Sequence, residues 1–116
     1  SEFILIRRRL IMSKSVAIGA EMILPRTFVP GMEAIPSDEL KMVNICPFLA
    51  EKYDLLISKA EHQIETTSVN DLDAKRLRLR PQMLAFVVTA TAFLPDGQSG
   101  YWQRIVAPSD DCRVTF

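Results

Sequence analysis

Apolar and polar residues alternate most clearly in the last third of the chain. Leu84–Leu94 is apolar on both faces and carries Val87, Val88, Thr89 and Thr91, β-branched residues that fit a pleated surface. Residues 95–100 (Pro-Asp-Gly-Gln-Ser-Gly) are turn chemistry, and Tyr101–Ala107 is a second extended run. The pattern predicts a β-hairpin whose first strand is central, covered on two sides. Val16–Leu24 is another apolar run, closed by Pro25, and predicts a strand over 15–24 with Gly19 as a possible bulge position. Residues 2–11 can also pair as a strand.

Residues 25–36 hold Pro25, Pro30, Gly31 and Pro36 and read as a loop. Its apolar members Phe28, Val29, Met32 and Ile35 suit packing against the body, and are also the candidate protein-interaction residues. Ser37, Asp38 and Glu39 mark a helix start, with a hydroxyl cap followed by acids that the helix dipole favours. Pro47 ends or kinks that helix. Leu49, Tyr53, Leu56, Ala60 and Ile64 then recur at spacings of four, three, four and four, which predicts a long helix over 47–65. Residues 66–71 are a polar turn. Arg76-Leu-Arg-Leu-Arg80 alternates strictly and predicts a strand with its arginines on one face. Residues 109–111 form a turn and Cys112–Phe116 a last edge strand.

These elements assemble into an α+β two-layer sandwich. It has a mainly antiparallel sheet of about four strands and one long helix region, kinked or split, packed on one face. The chain of 116 residues suffices for one domain. Ser1-Glu2-Phe3 resembles a cloning scar and Met12 a natural start, so residues 1–11 are expected to be a cloning-derived or disordered extension and 12–116 the domain. The basic cluster Arg7-Arg8-Arg9 then carries little functional weight.

Charge changes the picture only modestly. Fourteen basic residues balance fourteen acidic ones, which argues against a protein that binds duplex nucleic acid over its whole surface. The zero conceals segregation: residues 31–73 hold three basic and nine acidic side chains, with basic excess on either side. Two cysteines, Cys46 and Cys112, are too few for a disulfide scaffold and lack the spacing of a zinc half-site. We expect free thiols, a cytoplasmic location, no cofactor and no membrane partner.

No constellation for catalysis stands out. His62 is the sole histidine, on the polar side of its predicted helix, about 24 Å along a straight helix from Cys46. The carboxylate pairs Asp38/Glu39, Asp71/Asp73 and Asp110/Asp111 all fall where capping and turn geometry favour acids. Residues 95–100 lack the lysine-and-hydroxyl ending of a phosphate loop.

Three binding readings follow. The first is a non-enzymatic module acting through protein contacts, homodimers included, by way of the 25–36 loop or the edge strand 76–80. The second is single-stranded nucleic-acid binding, with Lys75, Arg76, Arg78, Arg80 and Arg104 holding phosphates while Tyr101 and Trp102, beside Phe93, stack on bases. The third is a small-molecule pocket between helix and sheet lined by Tyr53, His62 and Trp102. The first asks least of the sequence.

Overall fold

The computed structural model describes residues 2–11, 17–40, 45–80 and 83–108. Strands β1 (Phe3–Ile11) and β2 (Ala17–Pro25) come first, followed by two 3-10 turns over Arg26–Phe28 and Met32–Ala34. Helices α1 (Ser37–Leu40) and α2 (Ile45–Tyr53), strand β3 (Lys59–Ser68), helix α3 (Asp71–Leu77) and strands β4 (Leu84–Phe93) and β5 (Ser99–Pro108) complete the order. The strands make one sheet in the order β1-β2-β5-β4-β3, with every neighbouring pair antiparallel.

The architecture is α+β, but it corrects the expected sandwich in three ways. Five strands are present among the described residues rather than four, the long helix is absent, and helices cover both faces of the sheet.

Alternation along the strands divides the two faces. Ile6, Met22 and Leu24 point to one face and join Val29, Met32, Ile45, Leu49 and Tyr101 in the main core. Leu24, Val29, Met32 and Leu49 are essentially sealed from water, and each contributes about 1.5–3 kcal/mol by burial. Gly19, Val87 and Val106 point to the other face, where Val87, Val106 and Ala85 pack with Ala74 and Leu77 of α3.

Residues 47–65 are not one helix. Helix α2 stops at Tyr53, Asp54 takes a left-handed φ of 55°, and Lys59–Ser68 pairs along its whole length with β4. All ten residues of β3 are exposed. An edge strand wet on both faces needs no period-two pattern, so the chance helical spacing of Leu56, Ala60 and Ile64 prevailed in the sequence reading.

Residues 76–80 are not a strand either. The Asn70 side chain accepts a 2.8 Å bond from the Asp73 N–H, Asp71 and Asp73 occupy the first turn, and Lys75 and Arg76 the last. Cap and dipole terms all favour a helix. Arg78 closes it at φ 56°, and the Leu79 N–H reaches back to the Ala74 carbonyl at 2.9 Å, a Schellman ending with an arginine where glycine is usual.

The hairpin forms where expected, with the strands at 84–93 and 99–108 and Gly97 at φ 89° in the turn. Gly19 makes no bulge. Register runs unbroken through it, and its missing side chain instead admits α3, since a Cβ there would lie 3.2 Å from Leu77 Cδ2. Whatever the origin of residues 1–11, Phe3–Ile11 pairs with β2 at nine positions. The expected turn at 109–111 and strand at 112–116 lie outside the described residues.

Candidate functional site

One row of the sheet carries a charged ladder. Arg7 on β1, Glu21 on β2 and Arg104 on β5 are direct cross-strand partners, so their side chains share a face. Arg7 Nη2 meets Glu21 Oε2 at 3.1 Å, and Arg104 Nη1 meets Glu21 Oε1 at 3.3 Å. Helix α3 lies over the same face and brings two more charges. Arg76 Nη1 is 3.9 Å from Glu21 Oε2, and Asp73 Oδ2 accepts from Arg104 Nη2 at 3.0 Å. Three arginines thus converge on one glutamate, while Arg104 joins the sheet to the helix.

Asp73 is the buried charged residue of the described chain, at 7% exposure. A carboxylate so placed is tolerable because Arg104 pairs with it. Next to the ladder, Gly19, Leu77 and Val106 form an apolar floor. Together these residues enclose a cavity of about 270 Å³, bordered also by Arg8 and Arg9. Arginines outnumber carboxylates five to two around it. Such a cavity can take an anion bidentately on guanidinium forks and accept hydroxyl donors on Glu21 and Asp73. Its volume suits a metabolite and not a polymer.

The opposite face holds a second polar contact under α2. Cys46 Sγ lies 3.0 Å from Tyr101 Oη. Burial, reinforced by the thiol, pushes the Tyr101 phenol well above its usual range. Among the described residues no group of three or more His, Cys, Asp or Glu side chains is arranged to hold a metal ion.

The residues of the nucleic-acid reading are not assembled into one platform. Tyr101 is buried on the α2 face, whereas Trp102 and Arg104 share the α3 face, with Trp102 37% exposed and Arg104 engaged by carboxylates. Lys75 and Arg76 are in α3, Arg78 is its cap, and Arg80 follows it. Arg76 and Arg104 do come together, at the cavity. Phe93 ends β4 with the Lys59 ammonium 5.9 Å from its ring centre.

The interaction loop is turned inward. Val29 and Met32 belong to the core, and Phe28 and Ile35 pack against it. The three pocket residues are also separated. Tyr53 stands edge-on to Phe48 at 6.3 Å in the α2 core, His62 is exposed on β3, and Trp102 is on the other face of the sheet. Sequence reasoning missed Arg7, Arg9, Glu21 and Asp73. Arg7-Arg8-Arg9 is a contiguous run with no face signal of its own, and that Arg7 stands opposite Glu21 is readable only once β1 and β2 are paired.

Comparison with known proteins gives this geometry a family. The UTRA domain family matches residues 1–113. The chain belongs to the UTRA domain family. No curated protein sequence matches it. The UTRA fold recurs in solved structures of low identity. The C-terminal domain of Yurk from Bacillus subtilis superposes with a TM-score of 0.84 at 16% identity, covering 97% of this chain and 76% of that one. The ligand-binding domain of a candidate GntR-family transcriptional regulator from Bordetella bronchiseptica gives 0.83 at 15% identity, covering 98% and 74%. The effector-binding domain of the B. subtilis trehalose repressor gives 0.68 at 18% identity, covering 89% and 69%. Two of these proteins are described as binding a ligand or effector. No helix among the described residues is long and apolar enough to cross a membrane.

Proposed function

We propose that this UTRA domain is the effector-binding module of a cytoplasmic transcriptional regulator, and that its effector is a small hydroxylated anion. The effector sits in the cavity between β1, β2, β5 and α3. The observation that carries this reading is the convergence of Arg7, Arg76 and Arg104 on Glu21 beside the buried Asp73, over an apolar floor. The ligand-binding and effector-binding descriptions of the structural relatives support it.

The cavity's own ion pairs give the binding its mechanism. In the absence of effector the arginines are held by Glu21 and Asp73, which keeps them ordered. A phosphate or carboxylate competes for the Arg7 and Arg76 forks, and hydroxyls on the same molecule compete for the carboxylates. Arg104 is bonded to both layers, so a ligand that redirects it changes how α3 is tied to the sheet. That gives bound and free states different helix docking, the differential contact a regulatory domain requires.

A thermal-shift panel tests the reading. Hexose phosphates and small hydroxy acids raise the melting temperature, the uncharged hexose does not, and Arg7→Ala abolishes the response. Equal stabilisation by charged and uncharged sugars contradicts it.

A further inference from the structure

Three rows of side chains lie next to one another on the α3 face of the sheet. Gly19 and Val106 form the first, under Leu77 of α3. Arg7, Glu21 and Arg104 form the second, the charged ladder. Leu5, Ile23 and Trp102 form the third, because Leu5 pairs with Ile23 and Ile23 with Trp102. The cavity lining ends at the charged row. The third row is open, and so is Phe3, two residues before Leu5: Phe3 is 53% exposed, Leu5 49%, Ile23 37% and Trp102 37%. Single exposed apolar residues are ordinary on a protein surface, but four adjoining ones on a sheet face mark a binding patch. Two residues along a strand advance about 7 Å, so this patch begins about 7 Å from the arginines.

Resting on the effector reading of the cavity, we infer that Leu5, Ile23 and Trp102 form a second subsite, which takes an aryl group carried by the effector. The effector is then an aryl glycoside phosphate. Its anion meets the guanidinium forks, its hydroxyls face Glu21 and Asp73, and its aryl group lies on the Trp102 indole. The row has no walls and covers one side of whatever it binds. That favours a flat ring, which stacks offset on an indole. A flexible chain would keep its other sides in water and lose conformational freedom. Ile23 and Leu5 extend the apolar surface beyond the indole by two strand spacings, about 10 Å, enough for one aromatic ring.

The test is calorimetric titration of the domain with glucose 6-phosphate and with phenyl glucoside 6-phosphate. In the wild type the phenyl compound binds about tenfold tighter. Trp102→Phe keeps that ratio, and Trp102→Ala brings the two compounds to equal affinity. Equal affinities in the wild type, or a ratio that survives Trp102→Ala, overturn the aryl subsite, while binding of both compounds that is lost in Arg7→Ala leaves the arginine site standing. No binding of either compound removes the arginine site and the aryl subsite together. Trp102 is the sole tryptophan, so its emission keeps the inference falsifiable if a variant misfolds. In the wild type the phenyl compound shifts that emission to the blue and glucose 6-phosphate does not. A shift that develops with protein concentration alone assigns the patch to another chain and overturns the inference, as does an emission indifferent to the phenyl compound.

Discussion

Arg104 on β5 donates to Asp73 on α3 at 3.0 Å and to Glu21 on β2 at 3.3 Å, so one guanidinium ties the helix to the sheet. Asp73 is nearly sealed from solvent, and removing its cation leaves a buried carboxylate without compensation. Arg104→Ala is expected to lower stability by about 1–3 kcal/mol, read from urea denaturation. Asp73→Asn costs less, because a neutral amide needs no counter-charge and still accepts from the guanidinium. Equal losses in the two variants would contradict this account.

Gly19 governs how closely α3 docks. An added Cβ would stand 3.2 Å from Leu77 Cδ2 and 3.4 Å from Leu77 Cδ1, against a side chain that is itself packed in the core. Gly19→Ala therefore requires a small shift of Leu77, whereas Gly19→Val displaces the helix at a cost of about 1–3 kcal/mol. The valine also fills the floor of the cavity, so it is expected to abolish effector response even where the domain still folds. Thermal melting with and without a hexose phosphate separates the two effects.

The cap of α3 offers a stabilising change. Arg78 holds φ at 56°, a conformation in which a Cβ crowds the following carbonyl. Arg78→Gly relieves that strain, and the gain survives the extra freedom of glycine in the unfolded chain as about 0.5–1 kcal/mol. Because Arg78 lies outside the cavity lining, ligand affinity should stay unchanged. Calorimetric melting checks the first part and titration the second.

Alkaline pH is expected to destabilise the domain. Burial raises the Tyr101 phenol above its unfolded value, with the Cys46 contact adding to it, and burial next to Glu33 raises Tyr53 in the same direction. A group whose folded pKa is raised contributes stability that is fully present below its unfolded pKa of about 10 and is lost as pH rises through the folded value. Melting temperature should hold to about pH 9 and fall beyond it. Tyr101→Phe should flatten that fall, and an unchanged slope would show that the phenol does not drive it.

How legible the fold is depends on which physical signal each segment carries. The 84–108 hairpin reads directly because a central strand is apolar on both faces and its turn needs a glycine at positive φ, found at Gly97. Strand β3 does not, because an exposed edge is free of the burial that writes alternation into a sequence. Arg76–Arg80 misleads in the other direction. A five-residue alternation outweighed Asn70, Asp71 and Asp73, although a cap and two first-turn acids are the stronger, mechanism-based signal for a helix. The site divides the same way. Arg76 and Arg104 stand out as exposed-looking cations, but their convergence with Arg7 and Glu21 depends on four elements meeting, which no local pattern encodes. Val29 and Met32 read as possible contact residues, and the core claims them.

The location of anion binding is the most direct test of the account. Two-dimensional amide spectra of the domain, titrated with inorganic phosphate and then with a hexose phosphate, report it residue by residue. The account predicts saturable shifts at Gly19, Glu21, Arg76, Leu77 and Arg104, absent in Arg7→Ala. Shifts clustered instead around Tyr53, Met32 and Cys46, or no saturable shift with either compound, would contradict it.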